Sequence, residues 1–293
     1  MCRAIDAPAH RAEGFAMTPA PIRNSFLTSD GLRLHYAVDD HTMPWRNRPT
    51  LVLLHAAMGS LNRFHNWLPE LVGDWRILRW DMRGHGDSQR PRPDQALDLD
   101  RLTQDLVELL DHLDVPRVHL AGSSAGGVVA LHMAATHPER LLSLGGFAAI
   151  PGLAASTTHN DYNDWTQGLV SEGTAAFLRR TIRQRFRLDQ VEPGFIDWFI
   201  EDSGRNDPAY LARFVKMMAA TDFTALLPGI ATPSLFVVPS NDPVHSDENY
   251  AVLRVVPNHR YVIYPDMPHN ITDALPRQCA AELAGFLRAV EAG

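Results

Sequence analysis

An unbroken apolar run at residues 51–54 (Leu-Val-Leu-Leu) constrains the fold more than any other feature of this sequence. Such a run suits a strand that is buried on both faces of a parallel sheet. Further strands are predicted at residues 75–80, 118–121, 141–147, 234–238 and 261–264. Helical patterns lie at residues 62–73, 99–113, 126–136, 249–255 and 273–290. This alternation predicts an α/β fold with a mostly parallel, doubly wound sheet and helices on both faces.

The alternation of strands and helices is interrupted in the middle of the chain. After Pro151 we find helical stretches, the clearest at residues 173–185 and 208–220, and no strong buried strand until residue 234. At the other end, Asp30-Gly31 is a two-residue turn signal between strands at residues 25–29 and 32–38. We therefore expect a poorly ordered N-terminal extension (1–24), an α/β core (25–151 and 227–293) and a helical cap (152–226).

Composition and charge exclude several classes of protein. The net charge of −7 and pI near 6.0 argue against a nucleic-acid-binding protein, which usually has a basic surface. No apolar stretch reaches the length of a membrane helix, so we expect no membrane partner. Two cysteines, Cys2 and Cys279, cannot form a disulfide framework, and a reducing, cytoplasmic location is expected. The sequence carries no signal for an oligomeric state.

The sequence G-S-S-A-G at residues 122–126 follows one predicted strand and opens a predicted helix. It is a G-x-S-x-G motif in the strand–turn–helix context of a nucleophilic serine. The glycines allow a tight turn, so that the Ser124 hydroxyl is held out at the edge of the sheet. The next backbone N–H, that of Ala125, lies at a helix N-terminus and can stabilise developing negative charge. A plain glycine–serine turn is the alternative.

A nucleophilic serine needs a base, and the chain has 14 histidines. His269 follows a late predicted strand and precedes the last helix, which places it at the same sheet edge as Ser124. Asp242 follows another predicted strand and can orient the imidazole. His245 is a weaker rival for the base, because it shares a loop with Asp242 and makes a separate orienting acid harder to supply. A turn aspartate before Pro243 and a polar residue beside a helix are the structural alternatives.

Loops after two other predicted strands are expected to belong to the same site. The loop that begins at His55 can aim a second backbone N–H, that of Ala57 or of its neighbour Ala56, at the reaction centre. With Ala125 this N–H forms the predicted oxyanion hole, and His55 is expected to brace the loop. The second loop, D-M-R-G-H-G-D-S at residues 81–88, is glycine-rich, and its first aspartate and arginine are expected to fix it.

On these motifs the chain resembles the α/β-hydrolase-fold enzymes over about residues 25–290. The order Ser124, Asp242, His269 matches the order of nucleophile, acid and base in that family. The loop at 81–88 matches its D-x-R-G-x-G-x-S sequence, and His55 opens its oxyanion loop. Two departures are that Ala56 stands where glycine is common and that His269 follows proline. Within the family the chain is most similar to bacterial 3-oxoadipate enol-lactonases and related catabolic hydrolases.

The resemblance implies a serine hydrolase that cleaves a carboxylic ester, lactone or related small acyl substrate. The alternatives are a hydrolase of C–C bonds and a non-hydrolytic member of the fold: a lyase, a cofactor-free oxygenase or a ligand receptor. The sequence contains no H-E-x-x-H, no C-x-x-C and no G-x-G-x-x-G that opens a helix. We therefore expect no metal and no cofactor.

The predicted cap supplies candidates for substrate binding. Trp165 is one of its aromatic residues, and residues 179–187 contain five arginines in a chain of negative net charge. The sharper of two hypotheses is that one of Arg179, Arg180 and Arg183 points inward and holds a substrate carboxylate, because a guanidinium binds that group through two parallel hydrogen bonds. A solvated helix face that pairs with acidic residues is the alternative.

Overall fold

The computed structural model describes residues 22–152 and 162–293. The strands in these ranges are β1 (Ile22–Leu27), β2 (Arg33–Asp39), β3 (Thr50–Leu54), β4 (Arg76–Trp80), β5 (Val118–Ser123), β6 (Leu141–Phe147), β7 (Ser234–Pro239) and β8 (His259–Tyr264). They form one sheet in the order β1-β2-β4-β3-β5-β6-β7-β8. The pairs β1–β2 and β2–β4 are antiparallel. Every pair from β4 to β8 is parallel, which confirms the predicted, mostly parallel sheet.

Helices connect most of the strands. The α-helices in the described ranges are α1 (Leu68–Leu71), α2 (Leu99–His112), α3 (Ala125–Thr136), α4 (Tyr162–Glu172), α5 (Thr174–Thr181), α6 (Phe195–Gly204), α7 (Pro208–Ala219), α8 (Asp247–Ala251), α9 (Ile271–Ala274) and α10 (Pro276–Ala292). Short 3-10 helices span Leu61–Trp67, Pro138–Arg140, Ile182–Gln184, Thr224–Gly229 and Val252–Val255. Among the helices of the described residues, none is both long and apolar enough to cross a bilayer.

The central strand β3 is buried on both faces, as its apolar run predicts. Leu51 belongs to a core cluster that contains Leu283 of α10. Its neighbour Val52 faces the other way, into a cluster that contains Leu106 of α2 and Val129 of α3. Because neighbouring side chains of a strand point to opposite faces, the two helical layers enclose the sheet between them. The carboxyl ends of the parallel strands then lie together along one edge.

Helices α4–α7 follow β6 and precede β7, where the helical insertion was predicted. They pack onto the core, because their buried residues share a cluster with those of α2 and α3. Polar contacts attach them to the loops at the carboxyl edge of the sheet. Asn206 Nδ2 donates to the Met58 carbonyl at 3.0 Å, and the Tyr210 hydroxyl donates to the Arg83 carbonyl at 2.5 Å. Residues 153–161 of the predicted cap lie outside the described residues.

The N-terminal boundary differs from the prediction. Strand β1 begins at Ile22, so residues 22–24 are part of the sheet and not of an extension; residues 1–21 lie outside the described residues. The turn between β1 and β2 spans residues 28–32 and is longer than the two residues that Asp30-Gly31 indicates. The Thr28 hydroxyl explains this length, since it accepts from the Leu32 N–H at 2.9 Å and keeps both residues out of the strands.

Prolines account for two helices that differ from their predicted form. Residues 62–73 do not form one α-helix, because Pro69 lacks the N–H that would bond to residue 65; a 3-10 helix ends there and α1 begins. The last helix is divided at Leu275, whose φ and ψ of −125° and 52° are not helical. The following Pro276 disfavours the helical conformation at Leu275 and starts α10.

Candidate active site

Ser124 lies on a sharp turn between β5 and α3. Its φ of 49° and ψ of −117° are strained for a residue with a side chain. Two backbone hydrogen bonds hold it there: the Ser124 N–H donates to the Phe147 carbonyl at 2.8 Å, and the Ser124 carbonyl accepts from the Val128 N–H at 2.9 Å. The turn therefore presents the hydroxyl at the carboxyl edge of the sheet, as the motif predicts.

The two motif glycines are required because backbone segments cross closely at this turn. A Cβ on Gly122 would lie 2.3 Å from the Gly126 carbonyl oxygen. A Cβ on Gly126 would lie 2.4 Å from the carbonyl oxygen of Leu54 and 2.5 Å from that of His55. The second contact joins the start of α3 to the loop after β3, so the two halves of the site are packed backbone to backbone.

Three side chains from separate loops meet at this edge. His269 Nε2 lies 2.8 Å from Ser124 Oγ, and His269 Nδ1 lies 2.8 Å from Asp242 Oδ2. An ionised carboxylate only accepts hydrogen bonds, so Nδ1 carries the proton and Nε2 is left to accept from the serine hydroxyl. The structure thus brings together the three residues that the sequence predicts as nucleophile, base and acid.

Asp242 is held ionised by its surroundings. Burial alone would raise its pKa, but His269 and the Tyr250 hydroxyl together hold the pKa of Asp242 below its usual value. Tyr250 donates to Asp242 Oδ2 at 2.5 Å, and the Val244 N–H donates to Oδ1 at 2.8 Å. These donors fix the plane of the carboxylate that faces His269. Tyr250 was missed from the sequence, and its position in α8, after the Asp242 loop, is the only signal for it.

His245 is present in the site but does not replace His269. Its ring stands nearly perpendicular to that of His269, with centroids 5.1 Å apart. Burial and the adjacent His269 lower the pKa of His245 to about 3, so its ring is neutral. Within the described residues its Nδ1 has no hydrogen-bond partner. The contacts with both Ser124 and Asp242 belong to His269.

Two backbone N–H groups border the serine. Ala57 and Ala125 both line the cavity that contains Ser124, and Ala125 is the first residue of α3. Neither N–H donates to an acceptor among the described residues. His55 braces the loop of Ala57, because its Nδ1 lies 2.8 Å from the Ala56 carbonyl and its Nε2 accepts from the Met82 N–H at 3.1 Å. Both N–H groups therefore remain available for the predicted oxyanion hole.

The loop at residues 81–88 supports the site without contacting Ser124. Asp81 accepts from the Leu61 N–H at 2.7 Å and from the Asp87 N–H at 3.0 Å. A Cβ on Gly86 would lie 2.3 Å from the Asp81 carboxyl carbon, which explains that glycine. Arg83 is fully buried, and its Nε donates to Asp105 of α2 at 2.6 Å. The residues of this motif thus anchor the loop and do not reach the serine.

A cavity opens over Ser124 between the sheet edge and α4–α7. Trp165 lies in its wall, as the sequence predicts for a cap aromatic. Most of the remaining wall is apolar and includes Met58, Val128, Ile150, Phe214 and Met218. The cavity is therefore suited to a small molecule with an apolar body.

The prediction that Arg179, Arg180 or Arg183 points inward is wrong. All three are exposed, and none lines the cavity. Arg180 instead pairs with Glu172 at 2.9 Å on the outer surface. This arrangement is the solvated helix face that the sequence left as an alternative.

A different arginine of the same run, Arg185, lies in the cavity wall. Its position continues the buried stripe of Thr174, Leu178 and Thr181, with steps of about three or four residues. The prediction rested on the run of arginines and did not extend the buried stripe through Thr181. That spacing is the signal by which Arg185 could have been found.

A family model described as alpha/beta hydrolase fold matches residues 49–273, a range that contains Ser124, Asp242 and His269. The chain belongs to the α/β hydrolase family. Among its relatives, 3-oxoadipate enol-lactonase 1 of Acinetobacter baylyi (strain ATCC 33305 / BD413 / ADP1) is 24% identical over 253 residues, which are 84% of this chain and 91% of the lactonase. This α/β hydrolase also matches the solved structure of the enol-lactonase from Burkholderia xenovorans LB400, with a TM-score of 0.82 and 22% identity over 90% of this chain and all (100%) of that chain. At that identity the likeness shows the fold.

A third relative is matched over part of its length. The dihydrolipoyllysine-residue acetyltransferase component of the acetoin cleaving system of Pseudomonas putida is 37% identical over 139 residues. These residues are 46% of this α/β hydrolase and 35% of that protein, so the chain spans about a third of its length. The matched part shares ancestry with this chain, and the activity of the whole protein does not transfer.

The close packing at Gly126 predicts that Gly126→Ala destabilises the protein by about 3 kcal/mol, because the new methyl group meets two backbone oxygens that cannot rotate away. Urea unfolding followed by circular dichroism measures this change. The control is Gly285→Ala in α10, where a Cβ meets nothing within 4 Å and is expected to stabilise the helix by up to about 1 kcal/mol. An unchanged unfolding midpoint for Gly126→Ala would contradict the packing described.

Proposed function

We propose that this α/β hydrolase is a serine hydrolase that cleaves a carboxylic ester, a lactone or a related small acyl substrate through an acyl-enzyme. The observation that carries the proposal is the continuous chain of contacts from Ser124 Oγ through His269 to Asp242, at 2.8 Å and 2.8 Å. Ser124, Asp242 and His269 are its proposed nucleophile, acid and base. The apolar cavity over Ser124 supports a small-molecule substrate, and helices α4–α7 are its proposed cap.

In the first half of the proposed reaction, Ser124 Oγ attacks the acyl carbon while His269 Nε2 takes the hydroxyl proton. Asp242 stabilises the imidazolium through its contact with Nδ1. The carbonyl oxygen becomes an oxyanion and accepts from the N–H groups of Ala57 and Ala125. The bond from the acyl carbon to the leaving oxygen then breaks, and His269 returns its proton to that oxygen. The acyl group remains bound to Ser124.

In the second half, water takes the place of the serine hydroxyl. His269 Nε2 accepts a proton from the water as its oxygen attacks the acyl carbon of the ester on Ser124. The same two N–H groups stabilise the second oxyanion. The bond to Ser124 Oγ breaks and His269 gives that oxygen its proton, so the enzyme is restored and the carboxylic acid leaves.

One of the comparisons supports ester or lactone chemistry. One relative that the chain matches over most of both lengths is named as an enol-lactonase, and others matched over most of both lengths are named as a putative synthase and a putative carbamate hydrolase. A receptor has no need of all three groups in contact, whereas acyl transfer uses each of them. A C–C bond hydrolase also uses a serine, a histidine and an aspartate, so the type of bond is decided by experiment.

The assignment of the base predicts that Ser124→Ala and His269→Ala each lower kcat on 4-nitrophenyl esters by roughly 10⁴-fold to 10⁶-fold. His245→Ala is the matched control, because His245 is buried beside His269 but forms no hydrogen bond with Ser124 or Asp242; its kcat should fall less than about tenfold. Steady-state release of 4-nitrophenol measures all three variants. Loss of activity in His245→Ala with near-normal turnover in His269→Ala would contradict the assignment. A folded wild-type protein that hydrolyses no ester, lactone or C–C substrate would favour a non-hydrolytic role.

The oxyanion hole predicts a separate effect at Ala57. Replacement by proline removes one N–H donor, and Ala57→Pro should lower kcat by about 10²-fold, or about 3 kcal/mol, with little change in KM. Ala57→Ser keeps the N–H and should retain most of the activity. Thermal unfolding checks that both variants are folded. Equal activity of the two variants would show that the Ala57 N–H does not contact the oxyanion.

A further inference from the structure

Arg185 is a buried cation in the wall of the cavity over Ser124. The residue is 5% exposed, and its Nη1 donates to the Thr181 carbonyl at 3.1 Å and to the Thr181 hydroxyl at 2.8 Å. Within residues 22–152 and 162–293, no carboxylate forms an ion pair with it. A buried charge without a counter-ion is costly, and native proteins usually pair it or use it.

Arg63, whose charge acts on Arg185, is already paired with acidic groups. Arg63 pairs with Asp202 at 3.2 Å and with Asp273 at 3.3 Å. Asp202 also pairs with Arg205 at 3.1 Å. In this group the positive charges of two arginines therefore equal the negative charges of two aspartates. The charge of Arg185 is additional to it.

Asp242, the proposed acid of the triad, also has hydrogen-bond partners. Its two oxygens accept from His269, Tyr250 and the Val244 N–H. None of these contacts is with Arg185. Burial, with Arg63 nearby, lowers the pKa of Arg185 to about 10, so Arg185 carries its positive charge at neutral pH.

Aromatic rings and the backbone hold Arg185 in one place. Its guanidinium lies 4.8 Å from the centre of the Trp165 ring and 5.7 Å from that of Phe177. Its carbonyl accepts from the Asn270 N–H at 3.3 Å, and Asn270 directly follows the proposed base. Arg185 is thus fixed relative to His269 before any substrate binds, which lowers the entropic cost of binding.

We propose that Arg185 binds a carboxylate of the substrate, and that the substrate is an ester or lactone that carries this carboxylate in addition to its reacting acyl group. The inference rests on the proposed function, because it places the carboxylate in the same cavity as the acyl group that Ser124 attacks. Among the described residues that line the cavity, Arg185 is the only arginine or lysine. The apolar wall between it and Ser124 contacts the carbon skeleton that joins the two groups.

The test compares matched substrates with and without the charge. The 4-nitrophenyl half-esters of adipic, pimelic and suberic acid are paired with the 4-nitrophenyl esters in which a methyl group replaces the free carboxylate. For the best half-ester, wild type should show kcat/KM at least about tenfold above that of its neutral partner, since a hydrogen bond to a charged group is worth roughly that factor or more. No preference in any pair would overturn the proposal.

Variants of Arg185 test whether this residue causes the preference for the charged half-ester. Arg185→Met should lower kcat/KM for the best half-ester by about 10-fold to 100-fold, chiefly through KM, and should change the neutral ester less than about threefold. Arg183→Met is the matched control, because Arg183 lies two positions away on the exposed face and should leave both substrates unchanged. Equal losses on the charged and neutral esters in Arg185→Met would mean that Arg185 is structural.

Binding without turnover separates this inference from the proposed function. In Ser124→Ala, a saturating dicarboxylate such as adipate or suberate should raise the melting temperature, and in Ser124→Ala/Arg185→Met it should not. Arg185→Lys replaces Arg185→Met if the latter does not fold, and it should retain part of the shift. Absence of any shift in Ser124→Ala overturns the carboxylate site. If neutral esters are hydrolysed at Ser124 without a charge preference, the hydrolase proposal holds and the inference about Arg185 fails.

Discussion

The close approach of Gly126 to the backbone of Leu54 and His55 is the constraint on which the site depends. This contact, with carbonyl oxygens within 2.5 Å of where a Cβ would lie, is possible only for glycine. It fixes the start of α3 against the loop after β3. As a result Ser124, Ala57 and Ala125 line one cavity. The strained φ of Ser124 is maintained because the sheet on one side and the packed helix on the other leave the turn no alternative.

Buried charges divide into two groups with different consequences. Arg83 and Arg63 are paired with aspartates and join loops to helices, so they hold the edge of the sheet in position. Asp242 is balanced by His269 and by donors on both oxygens. Arg185 differs from these groups, because its counter-ion is not found among the described residues. The proposed carboxylate of the substrate would complete the same pattern of pairing in the cavity over Ser124.

The sequence predicted the sheet and the triad geometry because both depend on local signals. The apolar run of β3, the glycines around Ser124 and the positions of Asp242 and His269 after strands are each visible without tertiary structure. The sequence did not show which side chains tertiary packing would place in the site. The run of arginines led to the prediction of Arg179, Arg180 and Arg183. Burial depends instead on which face of α5 packs inward, and Arg185 continues that face beyond the end of the helix. The hydrogen bond from Tyr250 to Asp242 likewise depends on how α8 folds back over its loop.

Labelling by a fluorophosphonate tests the central claim, that Ser124 is an activated nucleophile, most directly. The reagent phosphonylates serines whose proton is removed by a neighbouring base. Intact-protein mass spectrometry should show one phosphonyl group per chain, and peptide mapping should place it on Ser124. Labelling should be absent in Ser124→Ala and much slower in His269→Ala, with unchanged folding of both. A folded wild-type protein that stays unlabelled, or one labelled at another residue, would contradict the account.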